Sequence, residues 1–407
     1  MATKQSPLIP LFDTLDNMSI GNEPPIAAKD HKSDYQYAWQ FLYSYRGSEA
    51  TFNAYRREIE RLLQWSWLVA NKSLKDINRA DIETFVEFCQ SPPKEWIGTK
   101  NVPRFIIKDG VRIANPSWRP YVVTIAKNLR ASEPKLSTEK YFVSQKTLQA
   151  IFATLGSFYN YLVQEQYVNF NPVAQIRQKS KFLRQRQNQT VIRRLSELQW
   201  GYVIETAELM AQQAPDIHER TLFIMNALYG MYLRVSELAA SKRWMPQMGH
   251  FYRDIDGNWW FKTVGKGNKE RSITVSDAML EALKRYRQSL NLSPLPSVGE
   301  NTPLIFKRHS RGVISSTRQI RAIVQRCFDV SVERMQQDGF IEEAEQLKSA
   351  TVHWLRHTGI SDDVKYRPRE HVRDDAGHSS SAITDKYIDV ELRARHASGK
   401  KKVLKPG

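Results

Sequence analysis

Cysteine is nearly absent from this chain: there are two in 407 residues, Cys89 and Cys327. Two such distant thiols offer no disulfide framework and no zinc-ligand spacing. Each stands in an apolar helical pattern and reads as a core residue. No apolar run approaches the roughly 18 residues that span a bilayer, and the N-terminus lacks a basic-then-apolar signal pattern. The expected location is therefore cytoplasmic, on the nucleoid, with no membrane partner. There is no Gly-Lys-Ser/Thr phosphate loop, and no His, Cys, Asp or Glu cluster at metal-ligand spacing, so no cofactor and no metal are expected. Repeats and low-complexity stretches are also missing. Acids are in deficit, with 43 Asp and Glu against 60 Lys and Arg, for a net charge of +17 and a pI of about 9.7. A soluble protein this basic points to a polyanion, and nucleic acid is the default. The length allows two or three domains, and 41% hydrophobic residues suffice for cores.

Residues 1–32 are polar, contain Pro24-Pro25, show no sustained period, and read as a disordered leader. From residue 33 to 176 the pattern is helical. Over 49–69, Phe52, Tyr55, Ile59, Leu62 and Leu63 make one stripe, with Arg56, Arg57, Glu60 and Arg61 on the other side. Asn78 can cap a helix bearing Ile82, Phe85, Val86 and Cys89, and 145–165 repeats the theme. Between them, 91–143 is an insert with six prolines; Asp109-Gly110 between β-rich arms signals a hairpin, with a helix expected near 120–130. Residues 177–194 hold seven Lys or Arg and no acid, which reads as a basic linker.

A second domain is expected over 195–391, followed by a basic tail, 392–407. Ser196 to Gln199 is a capping-box pattern. Residues 219–241 read as one apolar helix carrying Arg234, and 259–264 and 272–275 as strands joined by a Gly265–Arg271 turn. Helices follow at about 277–289, 316–328, 332–348 and 352–364, with short segments near 369–376 and 380–388. The fold class is mainly α with a small β-sheet.

The chemistry lies in a set of residues in order. Arg234 stands among apolar neighbours, so it must be paired or face a cleft. Glu237, three residues on, could orient it, although such a pair can also be a plain helix-surface ion pair. Lys266 sits between two glycines at the hairpin tip, with Lys269 and Arg271 close behind. His353 and Arg356 share a helix face at i, i+3. Gly377 suits a helix C-terminal turn and is followed by His378; Tyr387 comes nine residues later. A tyrosine oxygen, two guanidiniums, two imidazoles and an ammonium are what covalent attack on a phosphodiester requires.

This set resembles the tyrosine recombinase family, the phage integrases and their relatives. Their pattern is Arg in Leu-Arg-x-Ser-Glu-Leu, Lys in a hairpin turn, His-x-x-Arg, Gly-His, and Tyr nine residues after that His. Every element occurs here in order within 234–387. A looser likeness reaches back to about residue 45, where "SLKDINRADIETFV" and "TLGSFYNYLVQEQYVNFNPV" resemble the family's core-binding domain. The resemblance implies an N-terminal core-binding domain and a C-terminal catalytic domain forming a clamp on DNA. It implies that Tyr387 is the nucleophile of a 3′-phosphotyrosine intermediate, with no ATP or metal. Arg234 and Arg356 would hold the non-bridging oxygens, and His353 would exchange the tyrosine proton. His378 would support the phosphate or that proton path, and Lys266 would protonate the leaving 5′-oxygen, with Lys269 the other candidate.

Expected partners are double-stranded recombination sites, a homotetramer on DNA formed from free monomers or dimers, and accessory proteins. DNA contacts are expected from Arg56, Arg57, Lys179, Lys181, Arg184, Arg186, Lys269 and Arg271. The process would be integration, excision or transposition of a mobile element. Two other readings remain open: a type IB topoisomerase-like enzyme, and a DNA-binding regulator that does not cut. One departure from the pattern is Asp374-Asp375-Ala376, where more apolar residues usually precede Gly-His; it puts the packing of that helix in doubt.

Overall fold

A computed structural model of the chain describes residues 8–18, 31–124, 137–174, 176, 193–265, 267–307, 312–385 and 400. The chain divides into two compact units, Met1–Asn188 and Gln189–Gly407, a division that falls inside the basic run 177–194.

The first unit is built on helices α1 (Lys32–Ser44), α2 (Glu49–Trp65), α3 (Arg79–Gln90) and α4 (Gln145–Gln164). Asn78 caps α3 in a full capping box with Asp81, which satisfies helix-start donors that would otherwise be unpaired. The core joins Phe41, Phe52, Leu62, Phe85, Cys89 and Phe158.

Two expectations for this unit are corrected. Residues 8–18 of the supposed leader are packed, with Leu11 and Phe12 buried and Phe12 stacked on Tyr35 at 5.1 Å. Their backbone is mostly irregular, so burial there leaves no period to read. The other correction concerns the second half of the insert. Strands β2 (Phe105–Lys108) and β3 (Val111–Ala114) pair antiparallel with Lys108 opposite Val111, and Asp109 and Gly110 both have positive φ, the geometry of the expected hairpin turn. Where a helix was expected to begin, β4 (Tyr121–Val122) instead pairs in parallel with β1 (Ile97–Gly98); residues 125–136 lie outside the described residues.

These two segments bury the polar side of α2. Glu60 accepts from Leu11 N and pairs with Arg104. Arg61 donates to Pro120 O at 2.9 and 2.7 Å and lies over the Tyr121 ring. Buried charges of this kind persist only when paired.

The second unit has α5 (Glu197–Gln213), α6 (Pro215–Gly230), α7 (Val235–Leu238), strands β5 (Phe251–Arg253), β6 (Trp259–Val264) and β7 (Glu270–Thr274), then α8 (Asp277–Ser289), α9 (Thr317–Gln337), α10 (Ile341–Lys348), α11 (Val352–Asp363), α12 (Arg369–Ala376) and α13 (Ser381–Asp385). The sheet is antiparallel, in the order β5-β6-β7. Its core contains Phe223, Leu228, Phe261, Cys327 and Leu355. The chain is mainly α with small sheets, as expected. α9 runs unbroken through 329–331 and turns at Gly339, which has φ 88°; the glycine, not the polar residues near 330, ends the helix. No described helix is long and apolar enough to cross a membrane.

Candidate active site

The C-terminal end of α12 organises the site. The last carbonyls of a helix have no partner within it and carry its negative dipole end. Here three consecutive carbonyls each accept from a different arginine. Asp375 O accepts from Arg271 Nε at 2.9 Å, Ala376 O from Arg356 at 2.5 Å, and Gly377 O from Arg234 at 3.1 Å. Gly377 closes the helix in the left-handed region, with φ 62° and ψ 47°, as its position implied. A Cβ there would lie 2.9 Å from Arg271 Cδ.

Arg234 is not inside a continuous helix, contrary to the expectation for 219–241. α6 ends at Gly230, Tyr232 has φ 49°, and Arg234 is extended, N-capping α7. Both helices carry mostly buried apolar residues, so the apolar pattern runs across a break that periodicity cannot see. The extended residue turns its guanidinium toward α12 while its N–H donates to Glu237 Oε2 at 2.8 Å.

Glu237 is 1% exposed and is the anionic hub. It pairs with Arg234 at 3.0 Å and takes a two-pronged contact from Arg271 at 2.7 and 2.9 Å. Burial pushes its carboxyl up, but the Arg271 hydrogen bonds and charge, then the Arg234 contacts, outweigh that and hold it below the usual range. It contacts Arg234, though not across a shared helical face, since Arg234 is the extended residue before α7. Arg271, expected at the DNA, has all three of its nitrogens donating inward, to Glu237 and Asp375 O, and so braces the site from β7. Arg56, also expected at the DNA, is 8% exposed and donates to Asp13 O.

Three histidines gather near these cations. His353 is solvent-accessible on α11; packing around its ring, then Arg356 and Arg234, hold it below the ordinary imidazole value. His357, one turn on, meets it edge to face at 4.4 Å. Burial, then His353, Arg356 and His378, lower His357 to about 4. His378 shares a hydrogen bond with Thr384 on α13 at 2.9 Å; burial, then Arg356, Arg234 and Arg271, lower it to about 4. At neutral pH His357 and His378 are therefore uncharged, and can act as neutral donors or acceptors.

The structure thus brings together Arg234, Glu237, His353, Arg356 and His378. Lys266 and Tyr387 lie outside the described residues, as do Lys179, Lys181, Arg184 and Arg186; α13 ends two residues before Tyr387. Lys269 is exposed in the β6–β7 turn, its carbonyl accepting from Gly265 N. Arg57 is half exposed and pairs with Glu58 at 2.6 Å. Among the described residues, no three His, Cys, Asp or Glu form a group that could hold a metal ion.

Sequence reasoning missed His357, Arg367 and Asp375 as parts of the site. The i, i+4 spacing of His353 and His357 was a usable signal. Asp375 stood out only as a departure from pattern. It is 5% exposed, pairs with the partly exposed Arg367 at 2.5 Å and accepts from Thr274 N at 3.1 Å, so the buried acid of α12 is matched by a cation and a backbone donor.

No protein-family model matches the chain. It is 25% identical over 352 residues to tyrosine recombinase XerC of Leptospira interrogans, covering 86% of this chain and 93% of that protein. It is 27% identical over 268 residues to tyrosine recombinase XerC of Thermodesulfovibrio yellowstonii, covering 61% and 73%. In structure it is similar to the XerH site-specific recombinase bound to palindromic difH substrate, with a TM-score of 0.56 at 13% identity over 98% of this chain and 99% of that one. It is also similar to the Tn1549 transposon integrase in complex with transposon right end DNA, with a TM-score of 0.51 at 13% identity over 90% and 98%.

Proposed function

Because the chain is a relative of the tyrosine recombinases in sequence and fold, we propose that it is a site-specific DNA recombinase that cuts and rejoins strands through a covalent link to Tyr387. The reading rests on one observation above others: Arg234, the His353–Arg356 turn and His378, from three separate segments, gather around one helix end. Its substrate is a pair of short duplex sites at the ends of a mobile element, and the assembly that exchanges strands is a tetramer with one protomer on each half-site.

A tyrosine hydroxyl, with a pKa of about 10, is a poor nucleophile at neutral pH. Its attack needs a proton acceptor and cationic groups that meet charge as it builds on the phosphorane oxygens. Arg234, 27% exposed, is the guanidinium open to an incoming phosphate, with Glu237 and Gly377 O fixing its plane. Arg356, buried at 3% exposure, supplies a second fixed positive charge. The packing and the two arginines that hold His353 below the ordinary imidazole value favour its neutral form at pH 7, in which it can take the tyrosine proton. The bond formed is phosphorus to tyrosine oxygen; the bond broken is phosphorus to the 5′-oxygen, which leaves with a proton from Lys266. Attack of a free 5′-hydroxyl on the phosphotyrosine reverses the balance and releases Tyr387. The fixed dipoles and ion pairs cost no reorganisation at the moment of reaction.

The test uses genomic DNA from the source organism. Protein incubated with sheared duplex, denatured, digested and sequenced should yield tyrosine-linked fragments from a narrow set of sites. A synthetic duplex of that site, nicked so that cleavage is trapped, should give an adduct with wild type and none with Tyr387→Phe, while both bind equally. An adduct without joining of heterologous strands would mark a topoisomerase-like enzyme, and binding with no adduct a regulator.

A further inference from the structure

We propose that Arg367 and Asp375 form a positioning pair that sets Arg356 from both sides, and that catalysis depends on it chiefly through Arg356. The inference rests on the recombinase reading above. Arg356 is held by two backbone carbonyls, those of Tyr232 and Ala376. They belong to segments far apart in sequence, the α6–α7 break and the end of α12. Each is fixed by the same side chain. Arg367 stands in the loop between α11 and α12, and one of its terminal nitrogens donates to the Tyr232 hydroxyl at 3.0 Å and to Asp363 at 3.1 Å. The other donates to Asp375 at 2.5 Å.

On one side, Tyr232 has φ 49°, a conformation that a bulky non-glycine residue keeps only when its surroundings impose it. Its ring is buried, and its hydroxyl donates to Asp363 and accepts from Arg367. That anchor turns the Tyr232 carbonyl toward Arg356. On the other side, the Asp375 carboxylate takes one contact from Arg367 and one from Thr274 N of β7 at 3.1 Å. The helix end is thereby pinned between the loop and the sheet. Ala376 O and Gly377 O follow directly and receive Arg356 and Arg234. A planar guanidinium can bridge two acceptor groups in fixed directions, which an ammonium cannot. Arg367 therefore couples the two carbonyls that define where the Arg356 charge sits.

Displacing a catalytic group by about 1 Å can cost about 10²-fold in rate. On the trapped duplex recovered from genomic DNA, Arg367→Met should slow adduct formation by about that factor, with DNA affinity within about twofold of wild type and a single cooperative melt retained. Arg367→Lys should be intermediate in rate. The deciding measurement is a double-mutant cycle. Added to Arg356→Ala, the same Arg367→Met change should cost less than about twofold further. Asp375→Asn gives a second entry to the cycle should Arg367→Met not fold, with the same non-additivity expected. Full additivity of either substitution with Arg356→Ala overturns the proposal, as does a rate loss matched by an equal fall in DNA affinity. If wild type itself forms no adduct on any recovered site, the recombinase reading has failed. An adduct with additive effects sinks only the positioning pair.

Discussion

Replacing Glu237 by Gln is the perturbation that bears most directly on how this site is held together. The amide keeps the size of the side chain but removes its charge and turns one acceptor into a donor. Glu237 accepts four hydrogen bonds, from Arg234 N, Arg234 Nη1 and two Arg271 nitrogens, at 2.8, 3.0, 2.7 and 2.9 Å. With Gln, the amide nitrogen would face a guanidinium donor, and Arg271, 11% exposed, would lose its counter-charge. Breaking one side of a buried pair costs about 3–5 kcal/mol. At about 2–4 °C per kcal/mol for a unit of this size, the melting temperature should fall by about 6–20 °C at pH 7. The pH dependence gives an internal control. The folded carboxyl titrates below its ordinary value of 4.5, so the unfolded state binds more protons as pH drops, and Glu237's contribution is present above about pH 4.5 and lost as pH falls through the folded value. Calorimetric melts of both proteins should show a full gap at pH 7 that narrows below pH 4.5. A variant that melts within about 2 °C of wild type, or a gap unchanged at low pH, would refute the view that this carboxylate holds the arginines in place.

Lys266→Ala should cleave slowly on normal DNA and near the wild-type rate on a 5′-bridging phosphorothiolate, whose thiolate leaves without a proton; losing a general acid costs about 10²–10⁴-fold. Sulphur rescue of Lys269→Ala in its place would move the role to the exposed second lysine. Gly377→Ala puts a Cβ at φ 62° and 2.9 Å from Arg271 and should cost at least about 1–2 kcal/mol of stability while slowing adduct formation; an unchanged melt would contradict the α12 geometry. Changing Lys179, Lys181, Arg184 and Arg186 together to Ala should flatten the log–log salt dependence of DNA binding by about 0.9 for each phosphate no longer neutralised, and an unchanged slope would leave that run as solvated linker.

Some of this architecture needs only the chain order. Helices α2, α3 and α4 follow from apolar residues at 3.6-residue spacing, and the hairpin at Asp109-Gly110 from a dipeptide that readily accepts two positive φ angles in succession. The candidate groups of the site were legible because their chemistry and spacing are local: His353 and Arg356 on one turn, Arg234 three residues before Glu237, Gly377 before His378. What stayed hidden was every charge whose environment comes from a distant segment. Arg56, Glu60 and Arg61 read only as the polar side of α2, with Arg56 expected at the DNA, yet residues 8–18 and the insert lie over them. Arg271 read as a phosphate contact, but Glu237 and the end of α12 claim all three of its nitrogens. Asp375 looked like a flaw in an apolar helix until Arg367 and Thr274 were seen to complete it. Periodicity reports which side of a helix is apolar. Whether the polar side meets water or a partner's counter-charge is a long-range matter, and here tertiary packing alone decided it.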